Sequence, residues 1–244
     1  MKVGYIFFGL SFKKELKKMS EQKVSNERKK ELEQIDPFQA GLLKAIAYAK
    51  EYKKQLLLMV GAFVLVAVVF TSVMYSFQKS EKTAATLVTQ ALTKYDQAND
   101  PQKGYLETET DFKTIFADYP NTAAGKQALI QFAKISYDAL KFDQSYKYYQ
   151  KALEVFKNEA LMENFILSSL GTTCIARKDF DGARKYFMQI KKGQSELLKD
   201  EAQFVLAMLY EAENNETESK KIYKELVEQY ANSMYISIAQ SKIN

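Results

Sequence analysis

Apolar and polar positions fall into three regimes along the chain, and each predicts a different element. From Leu56 to Phe77 run 22 residues with no charge and no proline. A helix rises about 1.5 Å per residue and a bilayer's hydrocarbon core is about 30 Å thick, so this run is long enough to cross one. A helix buried in a globular core usually keeps a polar stripe; none interrupts this run, which favours a transmembrane helix over 56–77. It is longer than the apolar part of a signal peptide and begins at residue 56, so an uncleaved anchor is expected.

Ahead of the span, Phe38, Leu42, Leu43, Ile46 and Ala49 recur at helical spacing on one face. Residues 38–55 therefore read as a juxtamembrane amphipathic helix, either lying against the inner leaflet or simply extending the span. Residues 1–37 form a tail, with almost no apolar content over 20–36. Translation is expected to start at Met19, because the purine-rich codons of Lys14 and Glu15 stand at ribosome-binding distance before it. Lys44, Lys50, Lys53 and Lys54 closely precede the span, against Lys79 and Lys82 just after it. Positive flanks stay inside, so the tail is expected in the cytoplasm and residues 78–244 on the periplasmic side of a bacterial inner membrane.

Residues 78–244 repeat. Thr108, Ser145, Ala183 and Ser219 are small residues separated by steps of 37, 38 and 36, and four positions after each comes an aromatic: Phe112, Tyr149, Phe187 and Tyr223. A second set of small residues, Ala133, Gly171 and Ala207, stands twelve positions before the markers of the last three units. Such a period fits a helix–turn–helix unit in which small residues admit close helix approach and aromatics fill the space between hairpins. The predicted fold class is all-α: one transmembrane helix, then an α-solenoid of about four helical hairpins, with Met234–Asn244 as a terminal capping helix.

These residues resemble the tetratricopeptide repeat family over most of 80–244. The third unit carries the likeness best, with Leu170-Gly171, Phe180-Asp181-Gly182-Ala183 and Phe187. Tyr119-Pro120-Asn121-Thr122 and Tyr230-Ala231-Asn232-Ser233 resemble the repeat boundaries of bacterial envelope proteins. The layout of tail, amphipathic stretch, single span and degenerate repeats, with Leu42–Tyr52, residues 179–187 and Ala239–Asn244, is similar to the ancillary subunit family of the SecYEG translocon (YfgM-like). That resemblance implies translocon subunits, periplasmic chaperones or exported clients as partners. A scaffold for another envelope machine (outer-membrane assembly, division or secretion) is the alternative.

Composition narrows the chemistry. Histidine and tryptophan are absent and Cys174 is the sole cysteine, so zinc ligation by Cys/His clusters and histidine acid–base catalysis lack their parts. The net charge of +5 resolves into +6 over residues 1–55 and −1 over 78–244, which argues against a nucleic-acid partner for the repeat region. No glycine-rich phosphate loop occurs, and no stretch remains to hold a catalytic domain, so neither enzyme activity, nor a cofactor, nor a small-molecule substrate is expected. The tyrosines 137, 146, 148 and 149 cluster around one hairpin, either as a binding patch or with buried rings. Cys174 reads as a small packed residue, and Asn215 opens a glycosylation sequon that has no weight if the protein is bacterial.

Stacked hairpins present their first helices to a concave groove that binds extended peptides or partner helices. In this register the groove positions are Gln127, Ile130, Lys134 and Tyr137, then Phe165, Ser168, Thr172 and Ile175, then Glu201, Phe204, Met208 and Glu211. Phe165, Phe204 and Met208 are the sharper candidates for solvent-facing apolar anchors, with interhelix packing the commoner use of Phe and Met.

Overall fold

The computed structural model describes residues 37–243, which among themselves form ten helices and no strand. They are α1 (Pro37–Glu51), α2 (Lys53–Gln97), α3 (Pro101–Asp118), α4 (Ala123–Asp138), α5 (Phe142–Phe156), α6 (Ala160–Ala176), α7 (Phe180–Lys192), α8 (Lys199–Ala212), α9 (Glu216–Gln229) and α10 (Ile236–Ile243). The expected start at Met19 and the tail over 20–36 lie outside the described residues. The chain divides into two units, one ending at Phe70 and the other beginning at Thr71.

In the first unit, α1 and the apolar opening of α2 leave nearly every side chain exposed. Among the described residues, α2 is the one helix long and apolar enough to cross a membrane, and none of its most apolar stretch is buried. It is longer than the run read from composition, because nothing between Phe77 and Gln97 breaks a helix: no proline or glycine occurs there, and helix formers such as Ala84, Leu87 and Ala91 continue it. Tyr52 belongs to neither α1 nor α2.

In the second unit, the closing turns of α2 bury Ala84 and Ala91, and packing then proceeds along the chain from α3 on α4 to α9 on α10. All four small markers, Thr108, Ser145, Ala183 and Ser219, are buried, as are the aromatics Phe112, Tyr149, Phe187 and Tyr223. Ala133, Gly171 and Ala207 lie buried on α4, α6 and α8. Small residues bring paired helices close, and each fully buried aromatic contributes on the order of 2–3 kcal/mol. The largest aromatic group joins three helices: Phe132 on α4 meets Phe112 on α3 at 4.9 Å and Tyr148 on α5 at 4.9 Å between ring centroids.

The turns repeat as faithfully as the core. Asn99, Leu140, Lys178 and Asn214 all adopt left-handed backbone with φ of 53°, 59°, 63° and 60°, each between the two helices of a pair. In the last three turns the next amide reaches back over the helix end: Lys141 to the Ser136 carbonyl, Asp179 to Cys174 and Asn215 to Tyr210. This six-to-one closure satisfies carbonyls that a helix end otherwise leaves unpaired. Side chains then start several of the following helices. Asp100 accepts from the Lys103 amide at 2.7 Å, Asp179 from Gly182 at 2.9 Å and Asn215 from Glu218 at 3.3 Å. Asn215 thus serves as a helix cap.

The two Tyr-x-Asn-Thr/Ser segments also take equivalent places. Tyr119 and Tyr230 close α3 and α9 through their amides, on Ile115 and Leu226, and Thr122 caps α4 by accepting from Gly125 at 2.9 Å. A second cap reaches α4 from far away in sequence: Glu81 on α2 accepts from the amides of Ala123 at 2.7 Å and Ala124 at 2.8 Å. One carboxylate therefore satisfies two otherwise unpaired donors at a helix N-terminus, where the helix dipole favours negative charge.

Candidate functional site

The hollow built from the expected groove positions lies among α4, α5 and α6. It has a volume of about 380 Å³ and is lined by Gln127, Ile130, Gln131 and Lys134 from α4, Tyr149 from α5, and Met162 and Phe165 from α6. Helix periodicity accounts for this set. Gln127, Gln131 and Lys134 recur at i, i+4 and i+7 on α4, while Met162 and Phe165 stand three apart on α6. Ile130 and Tyr149 form the buried floor, and Phe165 is 47% exposed at the rim. Burial pushes the Tyr149 phenol above its ordinary pKa, so the floor carries a neutral hydroxyl. Lys134 pairs with Asp138 at 2.6 Å, which leaves the rim polar but nearly neutral.

The apolar character of this place originates in α6. In its sequence, ALMENFILSSLGTTCIA, Ile166, Leu167, Leu170 and Cys174 pack inward, while Leu161 and Phe165 remain exposed one turn apart on a face shared with Ser169 and Thr172. That face is left open, with Leu161 66% exposed beside Phe165. Gln131, Met162 and Tyr149 line the hollow without being among the expected groove positions; of these only Tyr149 carried a sequence signal, as the aromatic four positions after Ser145.

Other groove positions are placed differently. Ile130 and Ser168 are buried, and the Ser168 hydroxyl donates to Glu201 at 2.6 Å, tying α6 to α8. Phe204 is no open anchor: Tyr235, just before α10, stacks on it at 4.4 Å and 14°, and Tyr223 lies against it at 6.0 Å. Glu211 is engaged by Lys242 of α10 and by the Tyr223 hydroxyl at 3.4 Å, and the Lys242 bond holds its carboxyl below the usual carboxylate range. Tyr137 packs edge-on against Phe142, and Ile175 is half-buried. Gln127, Lys134, Thr172 and Met208 are exposed, with Met208 at 49%. The expected line of anchors thus contracts to the α4–α6 hollow with Met208 standing apart on α8.

The tyrosine cluster does not form one patch. Tyr148 and Tyr149 are buried, and Tyr146 shares a 2.9 Å hydroxyl bond with Tyr186 while the Arg177 guanidinium covers its ring at 4.5 Å. Cys174 is fully buried, and burial pushes its thiol up to about 11, so it stays protonated and inert near neutral pH. A larger hollow of about 620 Å³ lies between α6 and α7, rimmed by Glu163, Lys185, Gln189 and Lys192; it holds none of the groove positions. Among the described residues no group of three or more potential metal ligands converges.

No protein-family model matches this chain, and no curated protein does. Among solved structures, its fold is similar to the crystal structure of BtubC (BKLC) from P. vanneervenii, at a TM-score of 0.51 and 12% identity over 71% of this chain and 79% of that one. At that identity the likeness concerns the fold alone.

Proposed function

We propose that this protein is a membrane-anchored array of tetratricopeptide-type hairpins that binds partner or client proteins through the α4–α6 hollow. The recurring buried markers, the matching left-handed turns and the order of packing along the chain support a solenoid of four hairpins closed by α10. Contacts between alternate helices support it too: Tyr146 of α5 bonds Tyr186 of α7, Lys191 of α7 pairs with Glu225 of α9 at 2.6 Å, and Ser168 of α6 bonds Glu201 of α8. The apolar opening of α2 serves as the single span, with the lysine-rich flank in the cytoplasm and the array on the periplasmic side of an inner membrane.

The observation that carries the binding function is the exposed pair Leu161 and Phe165 on α6, of which Phe165 lines a hollow sized for one or two side chains of an extended polypeptide. Gln127 and Gln131 beside it offer paired donors and acceptors to a peptide backbone. On the layout of tail, span and repeats, the array is an accessory of protein translocation or periplasmic chaperoning.

A photo-crosslinker at Phe165, with a second at exposed Lys151 on α5 as the reference position, tests this in native membranes. Translocon subunits, chaperones or exported clients should be captured from position 165 alone. Capture of outer-membrane assembly, division or secretion components would transfer the array to that machine, and equal capture from both positions would refute the site. With the crosslinker moved to Gln131 in the same hollow, Phe165→Ala should lower capture about tenfold, the scale of one well-packed anchor, without lowering the melting temperature.

A further inference from the structure

We infer that α1 is a second membrane contact, a helix that lies along the bilayer surface and binds anionic lipid headgroups. The inference rests on the membrane reading of α2 and adds a site to it. On α1, Leu42, Leu43, Ile46, Tyr48 and the adjoining Tyr52 are all exposed, Leu43 at 58%. Leu42, Ile46 and Ala49 follow one another at four- and three-residue steps and so share a face. Lys44 and Tyr48 each stand two residues, about 200°, from Ile46 and so opposite it, while Lys50 follows Ile46 by one turn and borders the apolar face.

Geometry decides between a surface helix and a straight extension of the span. If α1 continued along the membrane normal, Ile46 would sit ten residues ahead of Leu56, about 15 Å beyond the hydrocarbon edge, and Leu42 about 21 Å beyond it. The headgroup layer is only about 5–8 Å deep, so these large apolar side chains would stand in water. Each favours burial by at least about tenfold, and all gain it together when the helix lies flat. Lying flat requires the helical bonds that join the Tyr52 amide to the Tyr48 carbonyl and the Leu56 amide to the Tyr52 carbonyl, both 2.9 Å, to open at this residue, the one between the two helices that belongs to neither.

Charge names the occupant. Lys44, Lys50, Lys53 and Lys54 face one acidic residue, Glu51, over this stretch. Long lysine stems can follow an apolar surface while their ammonium groups reach phosphate oxygens. A leaflet containing phosphatidylglycerol matches both properties at once, whereas a zwitterionic leaflet matches only the apolar face. Each lysine held near an anionic surface shifts the docked-to-undocked ratio by about fivefold.

The chain contains no tryptophan, so a single introduced one reports its own surroundings. The full chain carrying Leu42→Trp is reconstituted into phosphatidylcholine vesicles with and without phosphatidylglycerol, some made with lipid brominated near the headgroup end of the acyl chains. A Val64→Trp chain reports on the span in the same vesicles. Position 42 should give blue-shifted emission, quenched by the brominated lipid, more strongly with phosphatidylglycerol than without. Adding Lys44→Glu and Lys50→Glu should reduce that quenching, as should high salt. Water-like, unquenched emission at 42 with a lipid-buried 64 would overturn the surface helix and assign that face to a protein partner. Equal quenching with and without phosphatidylglycerol would overturn the anionic headgroup as ligand. Water-like emission at 64 would instead bring down the membrane reading itself.

Discussion

Replacing Gly171 with alanine tests whether the small-residue slots hold the helix pairs together as argued. A Cβ built at Gly171 would lie 2.5, 2.8 and 2.9 Å from Cε2, Cζ and Cδ2 of Phe187, well inside contact distance. Phe187 is 1% exposed, so its ring has no free space to move into, and α6 and α7 must separate instead. Overpacking of a tight core costs about 1–3 kcal/mol, and three ring atoms within 3 Å place this site near the upper figure. Alanine recovers about 1 kcal/mol of helix propensity over glycine. The net expectation is a loss of about 2 kcal/mol, which lowers the melting temperature of a unit this size by about 4–8 °C. Far-UV circular dichroism of the detergent-solubilised chain measures it. In a Phe187→Leu background the clash is removed, and Gly171→Ala should then stabilise by about 1 kcal/mol. An unchanged or raised melting temperature in the parent background, or the same sign in both backgrounds, would show that the pair relaxes freely and that the slot does not set the helix spacing.

Removing the carboxylate in Glu81→Ala should cost about 1–2 kcal/mol and speed hydrogen exchange at the Ala123 and Ala124 amides about tenfold, while the amides at the start of α6 stay unchanged. Leu140→Gly should raise stability by about 0.5–1 kcal/mol, since Leu140 is exposed and its left-handed φ of 59° suits glycine better, a gain that urea titration resolves. At the alkaline end, burial pushes Tyr105 and Tyr223 up to about 12, helped by Glu109 and Glu211 respectively, against about 10 in an unfolded chain. Between these values the unfolded state has released protons that the folded state still holds, so stability should fall as pH rises from about 10 to 12 and be insensitive to these groups below 10. Tyrosinate absorbance and circular dichroism followed together would contradict this if those phenols ionised near pH 10 with the helices intact.

How far the fold could be read from sequence depends on which interactions a linear pattern encodes. Marker residues such as Ala183 and Phe187 were legible because a small residue and an aromatic four positions later do the same packing task in every unit. The turns were legible only in part. Asn99 and Asn214 are residues that tolerate left-handed backbone, but Leu140 and Lys178 occupy the same conformation and carry no turn signal. Their φ is imposed by the helices on either side, so local propensity is overruled by tertiary packing. Glu81 illustrates a different blindness: between Lys79 and Lys82 it reads as one more solvated charge, and its partners lie 42 and 43 residues away.

The candidate site divides along the same line. Gln127, Ile130, Lys134 and Phe165 came together because helix periodicity fixes which residues share a face, and the helices that meet there are neighbours in the chain. Phe204 and Glu211 share a face just as regularly, yet Tyr235 covers one and Lys242 binds the other. Both covering residues come from the terminal segment, whose docking a helix-by-helix reading of α8 does not contain. Covered and open positions therefore occur on both helices: Ser168 on α6 is closed by Glu201 of α8 as Phe204 on α8 is by Tyr235, while Phe165 on α6 and Met208 on α8 stay exposed.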